Sequence, residues 1–263
     1  MHDYHIHTRF SYDSEATMEA ACRAAISRGL IEIAFTDHLD FGPEEPPGYF
    51  RERQYLAAIV RCRARYEGQL TIRAGIEVGE PHLFAGEVSQ ILGENAFDIV
   101  LGSAHYAVGM QPAWREGFFE QPMREACESY FRQVVRLAAA GDFDVLAHLD
   151  LIKRDAGKFG RAYDGAEPYG DLIRTALQSI VERGKGIEVN TSPLRRGQRE
   201  PCPSLEILRW YREMGGEILV VGSDAHHPDA VGSGLDIAVE MAKVAGFGRL
   251  ATFEKRRVSW MEI

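Results

Sequence analysis

Seven times along the chain a short run of strand length closes on polar, ligand-type residues. The first holds His5 and His7; the next three are Ile31 to Phe35 closing on Thr36-Asp37-His38, Leu70 to Ile76 closing on Glu77, and Phe97 to Gly102 closing on Ser103-Ala104-His105. Phe143 to Ala147 closes on His148, Gly186 to Val189 near Asn190, and Glu217 to Val221 on Gly222-Ser223-Asp224-Ala225-His226. Helical spacing fills the intervals, at Thr17 to Arg28 with Gly29 as its stop, Arg51 to Tyr66, Phe84 to Leu92, Met123 to Ala140, Tyr169 to Arg183, Ser204 to Met214 and Gly234 to Ala245. Strands that alternate with helices predict a parallel sheet. In a barrel the C-terminal strand ends ring one mouth, whereas an open sheet would string seven ends along a line. The distribution therefore predicts a closed or nearly closed α/β barrel. No G-x-G-x-x-G follows the first strand and no G-x-x-x-x-G-K-[ST] occurs, which argues against dinucleotide and P-loop folds.

With 263 residues, 45% hydrophobic and 26% charged, the chain suits one large domain spanning 1–263. It holds no apolar run of about 18 residues, so no membrane span is expected. The functional strand begins almost at residue 1, which leaves no room for a signal peptide. Cys22, Cys62, Cys127 and Cys202 are widely spaced without a C-x-x-C pair, as expected of free thiols in a reducing cytoplasm. A net charge of −9 argues against a nucleic-acid partner. Part of that excess would be cancelled by bound cations.

Alternate residues of a strand share a face, so His5 and His7 converge on one point, a metal-ligand geometry. Of nine histidines, six (His5, His7, His38, His105, His148 and His226) fall at strand C-termini. With Asp13, Asp37, Glu77 and Asp224 they make a nitrogen and carboxylate set large enough for more than one metal. A glutamate such as Glu77 can bridge two ions, as in two-metal hydrolytic sites. No G-x-S-x-G occurs and no cysteine closes a strand, so a metal hydrolase is expected rather than a serine or cysteine nucleophile.

His5-x-His7, Thr36-Asp37-His38, Gly75-Ile76-Glu77, Gly102-Ser103-Ala104-His105, Ala147-His148 and Ser223-Asp224-Ala225-His226 together resemble the polymerase-and-histidinol-phosphatase (PHP) superfamily. The resemblance runs from residue 5 to about 226. It implies a distorted (β/α)7 TIM-like barrel with three divalent ions, zinc, manganese or iron, at the strand C-termini. By position, one ion takes His5, His7, Glu77 and Asp224; a second shares Glu77 and adds His105 and His148; a third uses Asp13, His38 and His226. Chain length, His148 to Arg154 and Glu188 to Arg196 are most similar to the histidinol-phosphate phosphatases of this superfamily. That likeness implies hydrolysis of L-histidinol phosphate to L-histidinol and inorganic phosphate in cytoplasmic histidine biosynthesis. It also points to Arg154 and Arg195 as phosphate binders, since a guanidinium fork holds two phosphate oxygens. Asp224 is expected to accept the proton of the attacking water and His226 to stabilise the leaving alkoxide.

Lys153 and Arg196 are the alternative phosphate contacts. Asp37 and Glu188 are expected to orient neighbouring imidazoles rather than bind metal. His2, His82 and His227 read as solvated. The loop Tyr106 to Glu120 offers Trp114, Phe118 and Phe119 as pocket wall or lid anchor, and Lys153 to Pro168 reads as a polar loop. Rival readings are a PHP phosphoesterase acting on nucleotides or nucleic-acid ends, and an amidohydrolase, which usually bridges its metals with a carboxylated lysine. The oligomeric state is not written in the sequence.

Overall fold

Ile99, Leu101, Ile187, Val189, Leu219, Val220 and Val221 are fully buried, whichever face of their strand they occupy. Strands apolar on both faces need cover on both, which helices wrapped around a parallel sheet provide. The computed structural model describes residues 1–46 and 48–263. Pro47, within the expected Phe41 to Gly48 loop, lies outside the described residues. In order come β1 (His2–Ile6), α1 (Met18–Ser27), β2 (Glu32–Phe35), β3 (His38–Leu39), α2 (Glu52–Arg65), β4 (Thr71–Gly79), α3 (Ala85–Glu94) and β5 (Ile99–Ser103). There follow β6 (Tyr106–Ala107), β7 (Gln111–Pro112), α4 (Met123–Ala140), β8 (Val145–Leu146), α5 (Ile152–Lys158), α6 (Gly170–Glu182), β9 (Gly186–Asn190) and α7 (Leu205–Glu213). The chain ends with β10 (Leu219–Gly222), α8 (Leu235–Val244), β11 (Arg249–Glu254) and β12 (Arg257–Glu262).

Seven strands pair in parallel in the order β1-β2-β4-β5-β8-β9-β10, with the short β3 beside the far half of β4. A bridge between Ile6 and Ala225 returns the last strand to the first, and the His7 N–H donates to the Ala225 carbonyl at 2.9 Å. The result is the nearly closed barrel that strand and helix alternation predicts, with the distorted (β/α)7 plan that the family resemblance implies. No helix among the described residues is long and apolar enough to cross a membrane. All four cysteines are free and buried.

The antiparallel β11–β12 hairpin has no counterpart in the sequence reading. Ala251 and Phe253 join Tyr4, Ile99, Leu101, Val145 and Val220 in the barrel interior. Polar contacts seat it at the N-terminal strand ends. The Phe253 N–H donates to the Tyr4 hydroxyl at 2.9 Å, the Lys255 N–H to Asp98 at 3.0 Å, and the Arg256 Nε to Asp144 at 3.0 Å. The hairpin thus stoppers the floor, and the C-terminal mouth stays open. Phe253→Ala is expected to cost about 3–5 kcal/mol of stability, the range for emptying a packed aromatic site. Urea denaturation measures that loss, and activity per folded molecule should stay at the wild-type value.

Two expectations need correction, and one open alternative is decided. Residues 153–158, expected in a polar loop, belong to the helix α5; four charges and Gly157 hide it, and only two core contacts, Ile152 and Ala156, face inward. Phe118 and Phe119 sit in a 3₁₀ turn and pack into the core as anchors, and of the three aromatics only Trp114 reaches the pocket. His2, expected to be solvated, is fully buried because β1 pairs with β2 from that residue onward. Burial pushes its imidazole down to about 3, so it stays neutral. His82 is half-buried and His227 exposed.

Candidate active site

Asp13, His38, Glu77, His105, His148, Asp224 and His226 line one cleft of about 560 Å³ at the barrel mouth, and His5 and His7 are fully buried. His5 and His7 leave β1 with Nε2 atoms 3.0 Å apart. Oε2 of Glu77, on β4, stands 3.3 Å from the first and 3.4 Å from the second; Oδ1 of Asp224 stands 3.9 and 3.4 Å from them. On its other side Glu77 presents Oε1 to His148 Nε2 at 2.9 Å and to His105 Nε2 at 3.5 Å. Asp13 Oδ2 lies 3.0 Å from His226 Nε2 and 3.5 Å from His38 Nε2. All nine expected ligand residues therefore meet in three adjoining sets. The sets interleave more than expected, because His38 Nδ1 also comes within 3.0 Å of Glu77 Oε2 and His7 clusters with His38 and His226.

The fixed hydrogen bonds decide which ring nitrogens are free. His5 Nδ1 meets the fully buried Glu188 at 2.7 Å, which places its proton there and leaves Nε2 with a lone pair. Gly222 permits this approach, since a Cβ would strike both Glu188 and His5. His7 Nδ1 lies 3.0 Å from Ser11 Oγ, which accepts the His38 N–H at 3.0 Å and donates to Asp37 at 2.9 Å. Ser11 is thus an acceptor for His7 as well, and His7 Nε2 also carries a lone pair. Asp37 touches no imidazole directly. It acts through Ser11 and through the Thr8 backbone N–H at 2.6 Å, a relay the sequence reading did not contain.

The lone pairs of His5 and His7 converge with two carboxylates on one point, and such a set is relieved by a cation among them. Glu77 Oε2 is buried with no hydrogen-bond partner among the described residues, which is the same misfit seen from the carboxylate. Burial would push Glu77 and Asp224 up, yet the surrounding imidazoles hold both well below the ordinary carboxylate range. The donor set is nitrogen and oxygen only, and it fits divalent ions of the zinc, manganese and iron class.

Backbone strain marks the same place. His148 and Asp224 occupy the left-handed region, at φ 27° and 53°, which only surrounding contacts can enforce on such residues. Arg195 supplies some of them: it donates to the Ser223 and Asp224 carbonyls at 2.6 and 2.9 Å. Arg154 leaves α5 to donate to Asp224 Oδ2 and Ser192 Oγ, both at 3.2 Å, while Asp155 holds its other edge at 3.0 Å. Both arginines line the cleft, as does Arg196. Lys153 does not; it is buried against Pro201 and Asp150, which excludes it as a phosphate contact.

Known proteins are similar to this chain. The PHP domain family matches residues 3–192. A probable histidinol-phosphatase of Clostridium acetobutylicum is 31% identical, with 98% of each chain covered. The histidinol-phosphatase of Lactococcus lactis is 26% identical over 97% of this chain and 95% of its own. The crystal structure of histidinol phosphate phosphatase from Lactococcus lactis, complexed with zinc, L-histidinol and phosphate, superposes with a TM-score of 0.84 at 25% identity and 98% coverage of both chains.

Proposed function

The chain belongs to the PHP domain family, and on that premise we propose that its cleft hydrolyses L-histidinol phosphate to L-histidinol and inorganic phosphate, a step of histidine biosynthesis. The observation that carries the reading is the position of the arginines. Arg154 and Arg195 both anchor on Asp224, a residue of the metal-type donor set, so cations suited to phosphate stand directly beside groups suited to divalent ions. The full-length likeness to histidinol-phosphatases supplies the identity of the ester.

Three ions are assigned to the three donor sets: His5, His7, Glu77 and Asp224; Glu77, His105 and His148; Asp13, His38 and His226. Bound there, they would supply Lewis-acid polarisation of the phosphoryl oxygens and a water of lowered pKa. The chain's own groups do the rest. Arg154 and Arg195 neutralise charge on the equatorial oxygens and hold phosphorus in line. Asp224 accepts the proton of the attacking water. His226, whose Nδ1 lies 3.4 Å from Asp224, stabilises the departing alkoxide, which is protonated by solvent.

The test is phosphate release from L-histidinol phosphate beside a nucleoside monophosphate, a short DNA with a terminal phosphate and an aryl phosphate, after loading with zinc or manganese. A kcat/KM about 10³-fold higher for histidinol phosphate is expected, or about 4 kcal/mol of differential transition-state binding. Preference for the nucleotide or the DNA end overturns the substrate assignment.

A further inference from the structure

Asp40 is a buried carboxylate to which neither the sequence reading nor the reaction assigns a part. It follows β3, two residues after His38, so strand alternation sends both side chains to the same side. Its side chain is 2% exposed, and neither oxygen has a hydrogen-bond partner among the described residues. Each oxygen nevertheless faces one imidazole nitrogen of the donor set. Oδ2 stands 3.3 Å from His38 Nδ1, which also has Glu77 Oε2 at 3.0 Å, and Oδ1 stands 3.5 Å from His105 Nδ1. The two rings are set edge to face, 5.3 Å apart, with the carboxylate at the Nδ1 of each. Gly79 makes the seat: a Cβ there would collide with Asp40 Oδ1.

From this we propose that Asp40 is a positioning residue that clamps two ligand histidines at once. One oxygen accepts the His38 Nδ1–H and the other the His105 Nδ1–H, closing by a small rotation of each ring. Both rings are thereby committed to the tautomer whose Nε2 is free, and those are the atoms that face Asp13 and Glu77. Glu188 does this for His5 alone; Asp40 does it for ligands of two different ion positions and so ties their occupancy together. The buried carboxylate costs free energy when unpaired, and two N–H donors remove that cost. The proposal rests on the metal-centre reading above.

Zinc itself is the probe, with Asp40→Ala and Asp40→Asn as the variants. In Asp40→Asn the amide oxygen serves one ring while its NH₂ meets the other Nδ1 and forces the wrong tautomer, so the near-isosteric change should not rescue. Both variants are expected to bind zinc about 10–100-fold more weakly at the two positions that use His38 and His105, and to keep the ion of His5 and His7. Bound zinc per chain after dialysis against graded chelator reads this, and thermal unfolding of the metal-free proteins reads the fold. Wild-type stoichiometry and affinity in both variants overturn the proposal, as does a lowered melting temperature with zinc affinity unchanged. Wild-type protein that takes up no zinc overturns the metal-centre reading along with it.

Discussion

Glu77→Ala is expected to retain its fold, lose at least two of the bound ions and fall more than about 10⁴-fold in kcat. The two oxygens of Glu77 serve different sets of imidazoles. Oε2 faces His5, His7 and His38; Oε1 faces His105 and His148. Removing it therefore strips a charged donor from both sides at once. A factor of 10⁴ corresponds to about 5.4 kcal/mol of transition-state stabilisation, within reach of losing the polarising charges and the aligned water together. The fold should survive, because the floor of the barrel is packed independently by Phe253, Leu101 and their neighbours. Metal content by mass spectrometry and circular dichroism separate the two effects. Undiminished ion content, or activity within tenfold of wild type, would remove Glu77 from the centre.

Arg154→Ala should lower kcat/KM for L-histidinol phosphate about 10²- to 10³-fold and weaken inhibition by inorganic phosphate in parallel. The guanidinium is pinned by Asp155 on one edge and by Asp224 and Ser192 on the other, so it reaches the cleft already oriented. Charge-assisted hydrogen bonds contribute about 1.5–3 kcal/mol each, and losing one or two of them to phosphate yields this range. Arg154→Lys should recover less than tenfold, because an ammonium cannot reproduce a planar fork shared between Asp155, Asp224 and a phosphate. Some stability will go as well, since Asp155 is 3% exposed and among the described residues would keep only Arg196, at 3.7 Å, as a cationic partner. Inhibition by inorganic phosphate distinguishes the two losses: a merely structural arginine would leave it unchanged in the folded fraction.

Local pattern made the barrel and much of its mouth legible. Strand period, helical spacing and a polar residue at each strand end are properties of neighbouring residues, and repeated seven times they leave few architectures. His5, His7, His38, Glu77, His105, His148, Asp224 and His226 stood out for that reason, and the structure brings them together with Asp13. Where the local signal is weak, reading failed. The short helix α5 carries too few apolar residues to show a period, and Phe118 and Phe119 in their long loop show none. The β11–β12 hairpin alternates adequately, but nothing nearby says that it closes a floor built from Tyr4 and Val220.

By itself, then, the sequence determined which residues reach the mouth, because chain direction and side-chain alternation are set within a few positions of each. Only the tertiary structure decided how they are held. The approach of Glu188 to His5, of Ser11 to Asp37, of Asp40 to His105 and of Arg154 to Asp224 depends on strand register and barrel closure. Those follow from packing among segments as much as 183 residues apart, and no local pattern encodes them.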